Sequence, residues 1–365
     1  MLVYRIILFS LTALTLTSAG PAKAQNDISQ KVNRIINRAM TDESIPGMAV
    51  AVVQDGKVVF EKAYGIRSVN AAAKADEQTV FSIGSVSKAF TAVGLMLLVQ
   101  ENKFALDDPI KKYMKGLPAD WQNITIRQFM THTSGIPQLK GEKDNASFEQ
   151  TLSRAGKMKM VFRPGARQQY NNFNFAVMGK LIEAVTGMGY LSFMQKRVFK
   201  PAGMVNSGIK PPSNDVSTGH LEKNGKLVSV ETHFNADDYG LPSGGLQTTL
   251  TDFVQLNQTL YKAQLLRKKT IDAMWTPYSS TLSNTPGWHS RMARDVLVIH
   301  KGGGGTGIGS VCDYKIVPSR DLYVVIMMNK ARNKVSPSDL TDDILQQCFN
   351  IPKGPKGDDG EGNEQ

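Results

Sequence analysis

The chain has 365 residues, 41% of them hydrophobic, and a formal net charge of +11 at pH 7. This length is sufficient to bury the core of one large domain or of two intergrown domains. No basic run is interleaved with aromatic residues, so no nucleic-acid partner is expected, and the charge favours an ordinary lysine-rich surface over attachment to anionic envelope polymers.

The first 24 residues have the pattern of a secretory signal peptide. Arg5 precedes an apolar run over residues 6–17, and Ala22-Lys23-Ala24 provides a cleavage site before Gln25. The apolar run is too short to span a bilayer, and no later segment is long and apolar enough to do so. We therefore expect a periplasmic or secreted protein with no transmembrane span once the signal is removed.

Strand-like and helical segments then follow one another along the chain. Apolar residues at helical spacing predict a helix over residues 27–41, and Asp55-Gly56 between two apolar runs predicts a hairpin of strands 48–53 and 57–64. An apolar helix begins near Ser85. Further helical pieces are predicted at 104–113, 126–130, 173–185, 191–199, 251–261 and 269–274. The last third returns to β-branched and aromatic runs, with strands at 295–300, 308–317 and 322–329 and a helix at 338–349.

Two strands at the start and three at the end predict an α/β fold of the α+β type. One antiparallel five-stranded sheet would be flanked by the N- and C-terminal helices, and a mostly helical domain would be inserted in the middle. The sheet domain is predicted over residues 25–85 and 292–351, the helical domain over 86–291, and a disordered polar tail over 352–365. A cleft is expected where the two domains meet.

The two cysteines, Cys312 and Cys348, are too few for a disulfide framework. In an oxidising compartment they could still form one bridge, because a late strand and the last helix could pack together. The sequence leaves that pairing open.

Ser85 stands where a glycine-containing turn passes into the apolar helix, and Lys88 follows three residues later on the same helical face. A serine at a helix start lies among unpaired N–H groups and the positive end of the helix dipole, which favours an oxyanion. Apolar surroundings disfavour an ammonium, so we expect the pKa of Lys88 to fall toward that of a base. Taken alone, the pair also fits a helix cap and a solvent-facing lysine. Ser207 and Lys210 share the spacing, but they run into Pro211-Pro212 and can open no helix.

Tyr170 and Asn172 form the only Tyr-x-Asn in the chain, in a loop before the helix at 173–185. A phenol near two cations can carry a proton, and a carboxamide can pair with a substrate amide. The alternative is a tyrosine and an asparagine that satisfy loop backbone groups.

His300, Lys301 and Gly302 form the only His-x-Gly, at the end of a strand that continues as glycines to Gly305. The bare backbone would let a substrate lie along the strand with an N–H group facing its carbonyl oxygen. Gly302, Gly304 and Gly307 also match a dinucleotide-binding pattern, but that pattern requires a helix next, and a hairpin is predicted. No metal or cofactor is predicted.

These motifs together resemble the serine β-lactamase and penicillin-binding-protein superfamily, specifically its class C-like branch. The resemblance covers about residues 27–348 and extends to further matches in the family's order. These are Thr131-His132-Thr133-Ser134-Gly135, Arg163-Pro164-Gly165 and Ser243-Gly244-Gly245-Leu246.

The resemblance implies that Ser85 is the acylated nucleophile and Lys88 its base. It further implies that Tyr170 relays the proton to the leaving group and that Asn172 holds the substrate amide. The N–H groups of Ser85 and Gly303 would form the oxyanion hole.

Two features of the last motif depart from class C β-lactamases. His300 stands where those enzymes have a lysine, and it resembles the His-x-Gly of DD-carboxypeptidases, D-aminopeptidases and related esterases. Lys301 stands where a hydroxyl residue is usual, and its ammonium could bind a substrate carboxylate or point outward. A register one residue later, Lys301-Gly302-Gly303, would instead turn His300 away from the cleft. We prefer His300 in the cleft, together with Lys301, Gly302 and Gly303 as substrate-binding residues.

The resulting prediction is a secreted serine hydrolase that acts through an acyl-enzyme on a small D-amino-acid peptide or ester. A β-lactamase is less favoured by His300. The alternative from another class is a non-catalytic envelope protein that binds penicillin or peptidoglycan.

Overall fold

A computed structural model of the chain describes residues 21–139, 147–209, 215–231 and 238–354. The apolar run of the predicted signal peptide, Lys210 and the tail beyond Gly354 lie outside these residues. The helices are α1 (Pro21–Asp42), α2 (Ser87–Gln100), α3 (Ile126–Met130), α4 (Phe148–Gly156), α5 (Asn172–Thr186), α6 (Tyr190–Met194), α7 (Leu241–Gly244), α8 (Leu250–Tyr261), α9 (Lys268–Met274) and α10 (Pro337–Phe349). In the part of the chain that the structure describes, no helix has the length and apolarity needed to cross a membrane.

The strands of the structure form one large sheet and two small ribbons. They are β1 (Gly47–Gln54), β2 (Lys57–Ser68), β3 (Ala73–Lys74), β4 (Phe81–Ser82), β5 (Gly219–Lys223), β6 (Lys226–Val230), β7 (Gln247–Thr248), β8 (His289–Ala293), β9 (Val296–Gly305), β10 (Ser310–Val317) and β11 (Leu322–Met328). The large sheet is antiparallel, in the order β3-β2-β1-β11-β10-β9-β8. Both ends of the chain therefore contribute to one sheet, as predicted.

The sheet has seven strands, so the prediction of five is wrong. The two additional strands, β3 and β8, lie at its edges. β3 has only two residues, and β8 reads His-Ser-Arg-Met-Ala, with no β-branched residue to indicate a strand. The helical piece predicted at 104–113 is also wrong: the structure has only a short 3-10 turn there, Ile110–Lys112. Pro109 disfavours helical geometry at the residue before it.

Hydrophobic residues cover both faces of the sheet. In β1, Met48, Val50 and Val52 pack with α1 and α10, whereas Ala49 and Ala51 pack against the helical region. We call these two sides the α10 side and the cleft side. A strand that is buried on both faces reads as a continuous apolar run, which is what β1 shows.

α2 lies on the cleft side and is buried along almost its whole length. All residues from Ser87 to Leu98 are buried, in agreement with the apolar helix predicted to begin near Ser85. The division into domains at residues 85 and 292 stays a prediction.

Candidate active site

Ser85 lies in a 3-10 turn, Gly84–Val86, directly before α2. This differs from the expected first turn of the helix itself. Gly84 has φ +50°, and a Cβ there would lie 2.2 Å from the nitrogen of Gly304. The turn therefore requires glycine, because its backbone is left-handed and packs directly against β9.

The side chains of Ser85 and Lys88 meet, as the spacing predicts. Lys88 Nζ donates a hydrogen bond to Ser85 Oγ at 3.1 Å. Ser85 lies in the 3-10 turn and Lys88 in the first turn of α2, and in such consecutive helical turns residues three apart share a face. Lys88 is fully buried.

Three further oxygens surround the amine of Lys88. Its Nζ lies 2.5 Å from Tyr170 Oη, 2.8 Å from Asn172 Oδ1 and 2.6 Å from the carbonyl oxygen of Ser243. These hydrogen bonds favour the ammonium, whereas burial favours the neutral amine. The sequence anticipated the burial but not the oxygens, and the role of Lys88 as a base stays a prediction.

Tyr170 contacts both Ser85 and Asn172. Its Oη lies 2.6 Å from Ser85 Oγ and 2.9 Å from Asn172 Oδ1. Because Asn172 Oδ1 is occupied by Tyr170 and Lys88, its amide nitrogen is the group that can donate to a substrate carbonyl. The structure thus brings Ser85, Lys88, Tyr170 and Asn172 into one hydrogen-bonded cluster.

His132 packs against the ring of Tyr170. Its ring lies against the Tyr170 ring, with centroids 4.8 Å apart, and its backbone has φ +57°. The Nδ1 of His132 lies 3.2 Å from the backbone nitrogen of Asn171 and 3.1 Å from the side-chain nitrogen of Asn174. Burial, followed by the charges of Lys301 and Lys88, lowers the pKa of His132 well below its usual value. A neutral imidazole that accepts at Nδ1 is therefore the stable form.

β9 brings Lys301, and not His300, to this cluster. Lys301 Nζ lies 5.0 Å from the centroid of the Tyr170 ring. The prediction that His300 faces the cleft is therefore wrong, and the alternative register, Lys301-Gly302-Gly303, is the one that the structure adopts. Successive side chains of a strand point to opposite faces, so the choice of Lys301 for the cleft turns His300 to the α10 side.

On the α10 side, His300 lies opposite Lys315 of β10. Burial first, and then the charges of Lys315, Lys301 and Arg291, lower the pKa of His300 to about 3. Lys315 Nζ is hydrogen-bonded to Asp342 of α10 at 2.6 Å. His300 thus lies in this buried network and not in the cluster around Ser85, and its ring centroid is 5.4 Å from that of His289 in β8.

The glycines after Lys301 allow β9 to approach the Ser85 turn closely. A Cβ at Gly303 would lie 2.6 Å from the nitrogen of Ser85 and 2.5 Å from that of Val86. Gly304 also lies against the turn, at Gly84. The one-residue change of register makes Gly304 the residue after the motif, so both Gly303 and Gly304 are candidates for the oxyanion donor beside Ser85.

A cavity of about 770 Å³ opens over this cluster. Ser85, Tyr170, Asn172 and the edge of β9 from Gly302 to Gly305 line one part of it, and Arg332 and Ser338 line another. β8 pairs with β9 only as far as His300. The edge of β9 beyond that point is therefore available to an extended substrate.

Sequence reasoning did not assign roles to three residues of the site. Ser243 and His132 lie in segments that were noted only as family matches, and neither segment indicated a contact to Lys88 or Tyr170. His289 in β8 had no signal, because nothing in its neighbourhood predicts a strand that begins beside Lys301.

The two cysteines lie on different sides of the sheet. Cys312 is buried on the cleft side and Cys348 packs on the α10 side. Both residues are described, and they are not joined by a disulfide. The sheet itself separates them, so the bridge that the sequence left open does not form in this structure.

A family model described as Beta-lactamase matches residues 32–348 of the chain. The chain belongs to the beta-lactamase family. The resemblance to serine β-lactamases and penicillin-binding proteins is thereby confirmed.

Individual relatives in this beta-lactamase family agree with the match. Protein flp of Staphylococcus aureus (strain N315) is 30% identical over 241 residues, which are 62% of this chain and 48% of flp. The chain thus spans about half the length of that relative. A beta-lactamase of Pseudomonas fluorescens is 26% identical over 341 residues, which are 83% of this chain and 94% of the relative.

A solved structure shares the fold of this beta-lactamase-family chain. The octameric penicillin-binding protein homologue from Pyrococcus abyssi superimposes with a TM-score of 0.77 at 25% identity, and the match covers 89% of this chain and 78% of the homologue. The predicted class of fold, a large antiparallel sheet with helices, is confirmed.

Proposed function

We propose that the protein is a serine hydrolase that forms an acyl-enzyme on Ser85. The observation that carries this proposal is the contact of Ser85 Oγ with both Tyr170 Oη, at 2.6 Å, and Lys88 Nζ, at 3.1 Å. A serine hydroxyl is a weak nucleophile until a neighbouring group removes its proton. Two such groups lie within hydrogen-bonding distance of this one.

In the proposed reaction, Ser85 Oγ attacks the substrate carbonyl carbon while Lys88 acts as the base for its proton. Tyr170 relays that proton to the leaving group as the bond to the leaving group breaks. The ammonium groups of Lys88 and Lys301 beside the Tyr170 ring stabilise negative charge on the phenol oxygen during the transfer. Water then hydrolyses the ester on Ser85 by the reverse path.

Two backbone N–H groups would stabilise the oxyanion of the tetrahedral intermediate. We propose Ser85 as one donor and Gly304 as the other, in place of Gly303, because the motif on β9 lies one residue later than predicted. The nitrogen of Gly304 lies against the turn that carries Ser85. Such donors act at the position of the developing charge, where they contribute most.

We propose a small D-amino-acid peptide or ester as the substrate. A cavity of about 770 Å³ is in the range of pockets for small molecules. The edge of β9 that β8 leaves without a pairing strand suits an extended peptide, and the amide nitrogen of Asn172 suits its carbonyl group. The signal-peptide pattern of residues 1–24 supports a periplasmic or secreted location.

A class C-like β-lactamase is the second candidate, and the register of β9 favours it. His300 in the position of the usual lysine would disfavour a β-lactamase. Lys301, and not His300, lies on the cleft side next to Tyr170, so a lysine is present there. The similarity to the Pseudomonas fluorescens beta-lactamase over most of both chains also supports this candidate.

A parallel substrate panel tests these proposals. D-Ala-D-Ala peptides, D-amino-acid amides, p-nitrophenyl esters and a chromogenic cephalosporin would be compared with wild-type protein and with Ser85→Ala. Turnover of peptides or esters that is lost in Ser85→Ala supports the first proposal, and preferential turnover of the cephalosporin supports the second. If no substrate is turned over and a penicillin leaves no adduct, the protein is a non-catalytic binder.

A further inference from the structure

A chain of buried hydrogen bonds leads from a loop carbonyl to Lys301. Asn284 Nδ2 donates to the carbonyl oxygen of Thr131 at 3.1 Å. Asn284 Oδ1 lies 2.5 Å from His289 Nδ1, and His289 Nε2 lies 3.4 Å from Lys301 Nζ. All four residues are buried.

The donors and acceptors in this series of hydrogen bonds can be assigned in only one way. The contact with the Thr131 carbonyl requires the nitrogen of the Asn284 amide, so the amide oxygen faces His289. An oxygen can only accept, so Nδ1 of His289 must carry its proton. In a neutral imidazole, Nε2 is then an acceptor, and it faces the ammonium of Lys301.

The surroundings of His289 keep it neutral. Burial first, and then the charges of Lys301 and His300 on β9, His132 in the loop after α3 and Lys88 on α2, lower its pKa well below the usual value. A protonated His289 would point a second N–H group at a buried ammonium. The acceptor form is therefore stable across the ordinary pH range.

We propose that His289 is a positioning residue whose Nε2 holds the Lys301 ammonium over the ring of Tyr170. Lys301 is 1% exposed, so the direction of its ammonium is set by protein groups rather than by water. Thr131, at the start of this series of hydrogen bonds, precedes His132, whose ring also packs on that of Tyr170. Asn284 thus connects the segment that carries His132 with His289 and Lys301, and His132 and Lys301 are the side chains that lie against the Tyr170 ring. This inference rests on the proposed hydrolase function, since its effect is on the proton transfer at Tyr170.

Two substitutions of His289 separate positioning from packing. The side-chain amide of glutamine reaches about as far from Cα as Nε2 of histidine, whereas that of asparagine reaches about as far as Nδ1. His289→Gln therefore keeps an acceptor for Lys301, and His289→Asn keeps only the contact with Asn284.

We expect His289→Asn to lower kcat about ten- to a hundredfold, the usual effect of losing a hydrogen bond to a charged group. Loss of the acceptor at residue 289 disfavours the charged form of Lys301, because its amine is buried. The alkaline limb of the kcat profile should therefore move to lower pH. His289→Gln should stay close to wild type in kcat and in the position of that limb, and KM should change little in either variant. Equal losses in both variants, or wild-type profiles in both, would overturn the proposal.

The tautomer can be measured without any variant. In ¹⁵N spectra of the folded wild-type protein, His289 should be neutral, with hydrogen on Nδ1 and none on Nε2, and should remain so below pH 6.5, the usual histidine pKa. Hydrogen on Nε2 would overturn the proposal even if His289→Asn failed to fold. Because these spectra need no turnover, an inactive wild-type protein would count against the hydrolase function and leave the tautomer to decide the position of His289.

Discussion

Two lysines are buried on opposite sides of the large sheet, and their partners differ in kind. Lys315, on the α10 side, is 2% exposed and binds the carboxylate of Asp342 at 2.6 Å and the carbonyl oxygen and hydroxyl group of Ser338 at 2.9 and 3.0 Å. Lys88, on the cleft side, is fully buried and contacts the hydroxyl groups of Ser85 and Tyr170. Burial alone therefore does not mark a catalytic lysine. Lys315 pairs with a carboxylate, whereas Lys88 contacts the hydroxyl groups of Ser85 and Tyr170 beside each other in the cavity lining.

Substitution of each lysine by methionine should separate activity from stability. Lys88→Met should lower turnover about 10³- to 10⁶-fold, as loss of a member of a catalytic unit does. Its thermal unfolding should change much less than its activity, because methionine fills the buried space. Turnover and calorimetry on the purified variant would measure the two effects.

The matched variant Lys315→Met should show the opposite result. Removal of one partner of a buried ion pair costs about 3–5 kcal/mol of unfolding free energy, while the folded fraction should keep its turnover. Comparable losses of turnover in Lys88→Met and in the folded fraction of Lys315→Met would contradict the distinction between the two sides.

Tyr170→Phe should lower turnover about 10²- to 10⁴-fold, the usual contribution of a positioned proton-transfer group. The phenyl ring would still pack on His132, so the fold should be retained. Tyr190→Phe is the control, because Tyr190 is a buried tyrosine whose hydroxyl lies 2.7 Å from Thr91 Oγ1. Tyr190→Phe should be about 1 kcal/mol less stable than wild type and should keep its full turnover. Steady-state kinetics of the two variants would show this difference.

The α10 side should make stability depend on pH through His300. Its pKa is lowered to about 3 in the folded protein, so the unfolded chain binds the proton more readily below the usual value of 6.5. Its contribution to stability is complete above pH 6.5 and is lost as the pH falls, by about 1.4 kcal/mol per pH unit down to about pH 3.

Urea unfolding of wild type and His300→Gln between pH 7 and pH 4 measures this dependence. The variant cannot titrate at residue 300, so its stability should fall less steeply with acid. His132 and His289 have lowered pKa values as well, and a residual slope in the variant is expected from them. Identical slopes in both proteins would contradict the assignment of His300 to a buried site.

Addition of a reducing agent should have the smallest effect. Cys312 and Cys348 lie on opposite sides of the sheet, so no disulfide is available to be reduced. The thermal unfolding temperature should be the same with and without dithiothreitol, and titration of the unfolded protein should find two thiols. A fall on reduction would contradict the separation of the two faces.

Much of the fold could be predicted from periodicity. The uniformly apolar run of α2 and the hairpin around Asp55-Gly56 gave correct elements, because such patterns determine local structure without distant partners. β8 could not be predicted in this way. Its short, polar sequence forms a strand because it pairs with β9, and pairing is a long-range interaction that local sequence does not encode.

The candidate site shows the same limit at the level of single residues. Ser85 and Lys88 were placed correctly relative to each other, since three residues of helical backbone determine their geometry. The choice between His300 and Lys301 depended on a one-residue register, which reverses every side chain of a strand. Both neighbours are polar and both became buried, so the hydrophobic pattern could not decide between them. The packing of β9 against the Ser85 turn and the pairing of His300 with Lys315 decided it.

The most direct test of the account is covalent labelling of Ser85. Wild-type protein, Ser85→Ala and Ser207→Ala would be incubated with a fluorophosphonate, and digested peptides would be examined by mass spectrometry. Ser207 is buried and its Oγ lies 2.7 Å from both Thr248 Oγ1 and Asp252 Oδ2, so it provides the matched control. The account predicts one adduct, on the peptide that contains Ser85, in wild type and Ser207→Ala and none in Ser85→Ala. An unlabelled wild-type protein, or an adduct that persists in Ser85→Ala, would contradict it.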